Sequence, residues 1–86
     1  MQSLNSIKPG KKVQIVEIRS GKGLVNRLSS MGLYPGSKVQ IISNPANGPL
    51  ILAKNSSRLG LGFGVANKIF VKSVLEEEKE SAPHSD

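Results

Sequence analysis

The segment Asn26-Arg27-Leu28-Ser29-Ser30-Met31-Gly32-Leu33-Tyr34-Pro35-Gly36 constrains the fold most: a short helix that stops on a glycine and turns straight into a strand. Leu24, Leu28 and Met31 fall at i, i+4 and i+7, so one apolar stripe runs along about two helical turns. Gly32 suits the left-handed position just past a helix, with Leu33 folding back onto Leu28 in a Schellman cap. A helix this short does not persist alone, so its stripe must plug a sheet. Arg27 lies about 60° from Leu24 around the helix, at the rim of that stripe. Its stem can cover the core edge while the guanidinium reaches water. Alternatively the guanidinium meets an acidic or phosphate-bearing partner, even as an arginine finger for a nucleotide hydrolase. Tyr34 is either an exposed aromatic contact or a plug beside the turn that follows.

Pro-Gly occurs twice in nearly the same setting. Pro9-Gly10-Lys11-Lys12-Val13-Gln14-Ile15 is echoed by Pro35-Gly36-Ser37-Lys38-Val39-Gln40-Ile41. Pro presets φ for the second residue of a turn and Gly takes the positive φ of the third, so both segments predict type II turns feeding strands of similar character. The first strand is expected over about Lys12–Arg19. Val13 and Ile15 share one face while Val16 and Ile18 take the other, which calls for a bulge near Ile15-Val16. Ser20–Gly23 reads as a flexible loop. Further strands are expected at Lys38–Ser43, Leu50–Lys54, Arg58–Gly62 and Ile69–Val74, with a helical turn at Phe63–Lys68. About five short strands with Gly, Pro and Asn turns at close spacing predict an all-β closed barrel.

Eighty-six residues make one small domain. Residues 1–75 hold eleven Lys/Arg against one acid, Glu17, a balance of +10. Residues 76–86 carry Glu76, Glu77, Glu78, Glu80 and Asp86 against Lys79, a balance of −4, and read as a disordered acidic tail. So basic a body is drawn to nucleic acid, anionic membrane surface or an acidic protein face. Nucleic-acid binding usually adds stacking aromatics. Here there are three, Tyr34, Phe63 and Phe70, and at least one phenylalanine is expected in the core.

No chemistry-bearing constellation emerges. The chain lacks cysteine, which removes disulfides and thiolate ligands and suits a reducing compartment. The one histidine, His84, stands in the tail, so neither a metal site nor an activated nucleophile is supported, and no cofactor is expected. Gly60-Leu61-Gly62-Phe63-Gly64 fails as a phosphate loop because Val65 occupies the third glycine position of G-x-G-x-x-G. Those glycines suit a tight bend at a sheet corner. Arg58, beside a turn, has the same two readings as Arg27. With no apolar run beyond four residues and no apolar leader segment, a cytoplasmic location is expected.

Arg27–Val39, together with Arg58-Leu59-Gly60-Leu61 and Val65-Ala66-Asn67-Lys68-Ile69-Phe70-Val71, resembles the FeoA family, the ferrous-iron transport A proteins. Leu4–Gly10 is similar to that family's usual opening, so the resemblance spans about residues 4–74. It implies an SH3-like barrel that works in the cytosol with FeoB, the ferrous-iron permease with a cytosolic GTP-binding domain. A similar domain ends many iron-dependent repressors. The expectation is a non-enzymatic accessory that binds or regulates a FeoB-like permease through Arg27, Tyr34, Arg58 and Phe63. The alternatives are a nucleic-acid-binding module and a metal-responsive regulatory domain.

Overall fold

The computed structural model describes residues 1–74. The acidic tail expected at 76–86 therefore lies outside the described residues. Two strands, β2 (Lys12–Ile18) and β3 (Lys38–Ser43), pair antiparallel about Val13 opposite Val39, with Lys12 facing Gln40 and Gln14 facing Lys38. These are the two strands that follow the Pro-Gly turns, and the sequence echo becomes a local two-fold relation between them. Gly10 and Gly36 have φ of +92° and +100°. Each turn closes as type II, Lys11 N–H donating to Lys8 O at 3.3 Å and Ser37 N–H to Tyr34 O at 2.9 Å.

Each turn then grips the other strand just past the β2–β3 paired stretch. Gly10 N–H donates to Ile41 O and Gly36 N–H to Ile15 O, both at 2.7 Å. Ile41 N–H returns a bond to Lys11 O at 2.9 Å, and Ile15 N–H returns one to Ser37 O at 2.8 Å. Gln14 Nε2 donates to Gly36 O at 3.1 Å and Gln40 Nε2 to Gly10 O at 3.4 Å. Immediately after each isoleucine the outer ladder slips. Register shifts between Ile15 and Glu17 against β6 (Ile69–Ser73), and between Ile41 and Ser43 against β4 (Leu50–Lys54), leaving Val16 and Ile42 as bulged residues. The bulge expected at Ile15-Val16 is present, and its counterpart at Ile42 bends the sheet a second time.

Around this pair lie β1 (Gln2–Ser3), β4 (Leu50–Lys54), β5 (Ser57–Leu61) and β6 (Ile69–Ser73), in the order β1-β6-β2-β3-β4-β5. All pairings are antiparallel. The arrangement is SH3-like, with six strands rather than five and a sheet that does not close by hydrogen bonds. β1 is only two residues long and gives way to a 3-10 turn at Leu4–Ser6, so it offers β5 no partner edge. The segments leading from the two edge strands meet instead: α2 (Phe63–Ala66) packs against the 3-10 turn, with Leu4 and Ala66 fully buried.

The inserted helix is α1 (Lys22–Ser30), with Gly21 as its N-cap residue. Lys22 and Gly23, expected in a loop, therefore form its first turn. Leu28 is buried and Leu24 half-buried against the core, as the stripe requires. Met31 departs from it: the helix ends at Ser30, Met31 takes φ −90° and ψ 1°, and its side chain is 39% exposed. Gly32 has φ +89°, its N–H donates to Ser29 O at 2.9 Å, and Leu33 N–H donates to Leu28 O at 2.8 Å. That pair of bonds is a Schellman motif, and Leu28 and Leu33 both enter the core. Buried Ser37 ties the cap to the second Pro-Gly turn, its Oγ donating to Gly32 O at 3.0 Å and accepting from Tyr34 N–H at 3.1 Å.

The core is aliphatic. Both faces of the expectation about phenylalanine fail, since Phe70 is half-buried and Phe63 is 66% exposed. Leu, Ile and Val fill the narrow space between strands, where a ring would overpack.

Gly10→Ala and Gly36→Ala meet no atom within 4 Å of the added Cβ, so each should cost only the left-handed backbone term, about 1–2 kcal/mol. Equal losses in urea melts are expected from the two-fold relation. Gly32→Val should cost about 2–3 kcal/mol, because a β-branched residue is forced into positive φ. An unchanged melting temperature in that variant would remove the cap assignment.

Candidate protein-docking surface

Three local devices converge where α1 ends. The Schellman cap throws Met31 outward, the Pro-Gly turn sets Tyr34 at its first position, and β4 ends beside both with Lys54. Tyr34 is 45% exposed. Lys54 Nζ lies 5.4 Å from the centroid of the Tyr34 ring, a cation–π contact in range for partly exposed groups. The Lys54 chain runs past the bare backbone of Gly32: a Cβ there would stand 3.4 Å from Nζ and 3.7 Å from Cδ. Arg27 is exposed one helical turn before Met31 and thus on the same side of α1. Its carbonyl accepts from Ser30 Oγ at 2.8 Å, which leaves the guanidinium arm directed by the helix alone. The result is an exposed thioether and ring flanked by two cations.

Arg58 sits on β5 opposite Ala53, one position along from the Lys54–Ser57 pair, and is exposed. Paired with Ala53, it projects from the face of the sheet opposite to Lys54 and so lies off this surface. Phe63 does not share it. That residue opens α2 beside Leu50, at the opposite end of β4, roughly 13 Å of strand from Lys54. There Phe63, Ala66, Leu50, Pro45, Asn44 and Asn5 line a notch of about 130 Å³. Of the four residues singled out from sequence, Arg27 and Tyr34 therefore lie at the exit of α1, Arg58 on the outer face of the sheet, and Phe63 at a separate notch.

Two contributors were missed. Lys54 carries no local signal, since only the fold brings the end of β4 to the helix exit. Met31 was assigned to the apolar stripe, and the glycine after it was the cue that the helix stops one residue short. Elsewhere, Arg19 stacks over Phe70 at 4.0 Å and donates through Nε to Glu17. The one acid of the body is thereby paired with a cation of the same strand end. A second hollow of about 320 Å³ has Lys12, Lys38, Gln40, Ala53 and Asn55 in its wall.

Among the described residues no group of three or more His, Asp or Glu converges, and no helix is long and apolar enough to cross a membrane. Arg27→Ala and Arg58→Ala should each move stability by less than about 0.5 kcal/mol, because both side chains are exposed and neither closes a cap or fills the core. Urea unfolding of the two variants checks this.

A family model for the FeoA domain matches residues 2–73. A Methanocaldococcus jannaschii protein named "Putative Fe(2+) transport protein A" is 40% identical over 72 residues, 84% of this chain and 87% of that one. The crystal structure of an iron uptake regulatory protein (FeoA) superposes with a TM-score of 0.79 at 32% identity, covering 84% of this chain and 96% of the other. A manganese-dependent transcriptional repressor shares the fold at 20% identity and a TM-score of 0.77, over 85% of this chain and 41% of the repressor.

Proposed function

This chain belongs to the FeoA domain family, and from that premise we propose that it serves ferrous-iron transport as a non-enzymatic accessory, docking on the cytosolic face of a FeoB-like permease and regulating its GTP-binding domain. The observation that carries the reading is the surface at the α1 exit. Met31 and Tyr34 stand exposed where α1 ends, with Arg27 in its last turn and Lys54 beside the Tyr34 ring, on a body whose single acid is engaged by Arg19. Exposed aromatic side chains bordered by arginine are the composition of protein-binding hot spots. Isolated apolar side chains on a surface need no such account, but here the helix cap and the Pro-Gly turn hold both in fixed positions.

The chain's chemistry agrees with contact rather than catalysis. It has no cysteine and one histidine, and the histidine stands in the acidic tail. The location that follows from partnership with a cytosolic domain is the cytoplasm. The relative from Methanocaldococcus jannaschii carries an iron-transport name, which supports the iron connection.

Calorimetric titration against the cytosolic GTP-binding domain of a FeoB-like permease tests this. Binding is expected at about 0.01 M salt and weakening by about 0.15 M, where the Debye length falls from about 30 Å to about 8 Å. Tyr34→Ala should weaken it by about ten-fold or more, whereas Tyr34→Phe should hold affinity because the ring provides the contact. No heat at low salt, with the protein folded, would overturn the proposal.

A further inference from the structure

The sheet has two edges, and they differ. β1 is two residues long, whereas β5 presents five residues, Ser57–Leu61, with no neighbour beyond it among the described residues. The β4–β5 hairpin turns through two residues, Asn55 and Ser56, with Asn55 at φ 57°. Such a turn closes on its flanking pair, Lys54 and Ser57. Bonded pairs alternate along an antiparallel ladder, so the inward bonds of β5 fall at Ser57, Leu59 and Leu61. Arg58 and Gly60 then direct their N–H and C=O groups away from the sheet. Both residues are exposed, and no described residue pairs with that side.

A free edge of this kind invites another strand. The side chains along it select which. Leu59 turns toward the core and is only half covered, so an added strand would complete its burial. Arg58 points to the outer face, in one cross-strand row with Ala53, Gln40 and Lys12. The body around them holds eleven cations and one acid. A second copy of the chain is disfavoured, because pairing two β5 edges would bring Arg58 near its own counterpart between two strongly cationic bodies. Nucleic acid gains nothing from peptide-spaced donors and acceptors without stacking rings beside them. We propose that β5 is a docking edge for an extended, acidic segment of a partner protein, which adds to the sheet as a further strand. Arg58 then acts twice, against self-association and for an acidic neighbour. The proposal rests on the reading of this chain as a docking protein and names the kind of segment it takes.

The test uses the full chain and a short peptide alternating Glu and Val, with a Lys and Val twin as control, followed by amide NMR. The Glu peptide should shift the Arg58 and Gly60 amide signals and slow their exchange, and the Lys twin should not. Gly60→Pro removes one outward N–H without touching the ladder to β4, and should weaken the peptide by about ten-fold. Should that variant misfold through contact with Ile51, which lies 3.3 Å from a Cβ at Gly60, Arg58→Glu decides. It leaves the backbone intact and should switch preference to the Lys twin. Shifts centred elsewhere, or an unaltered preference in Arg58→Glu, would overturn the proposal. The permease domain separates the two readings. If it ignores a protein whose edge still takes the peptide, docking on the permease fails and the edge stands. If it binds wild type and Gly60→Pro alike and the peptide does not bind, the edge fails alone.

Discussion

Two Pro-Gly turns, each donating its glycine N–H to the isoleucine carbonyl just past the paired stretch of the other turn's strand, hold this domain together. Because Gly10 grips Ile41 and Gly36 grips Ile15, neither strand can slide without breaking bonds at both ends. A one-residue slip would also turn Val13, Ile15, Val39 and Ile41 out of the core, so packing and hydrogen bonding specify the same register. The bulges at Val16 and Ile42 follow directly on the gripped isoleucines, and they curve the sheet around the core it shares with Leu28 and Leu33.

The proposed docking surface is a by-product of that clamp. Gly36 belongs to the clamp and Tyr34 begins the same turn, so the ring is placed by the bonds that fix the sheet. Ser37 couples the turn to the end of α1 through Gly32, which passes the same rigidity to Met31 and to the last turn carrying Arg27. Preorganised side chains lose little entropy on binding, so a small exposed patch can matter. Charge supplies the approach, since the body attracts anionic surfaces from a distance and the fixed groups act at contact.

Much of the fold was legible because its signals are local. Pro-Gly pairs and periodic Val and Ile specify turns and strands, and Gly32 after an apolar stripe specifies the cap, all within a few residues of chain. What failed needs distant partners. β1 has two residues and no pattern, and it exists only because β6 is there to pair with. Leu4 lies before any strand expected from sequence and proves fully buried in the core. Closure was inferred from strand count, yet the shortness of β1 leaves β5 an edge. At the docking surface, Arg27 and Tyr34 could be read from the helix and its exit. Lys54 could not, because its place beside Tyr34 is a property of β4 pairing with β3.

Native-state hydrogen exchange on the free chain puts the clamp to the most direct test. The amides of Gly10, Gly36, Ile15 and Ile41 should exchange together and only through global unfolding, while those of Arg58 and Gly60 should exchange through small local openings. Fast exchange at either glycine, or rates that separate the two turns widely, would contradict a reciprocal clamp and leave the placement of Tyr34 and Arg27 without its cause.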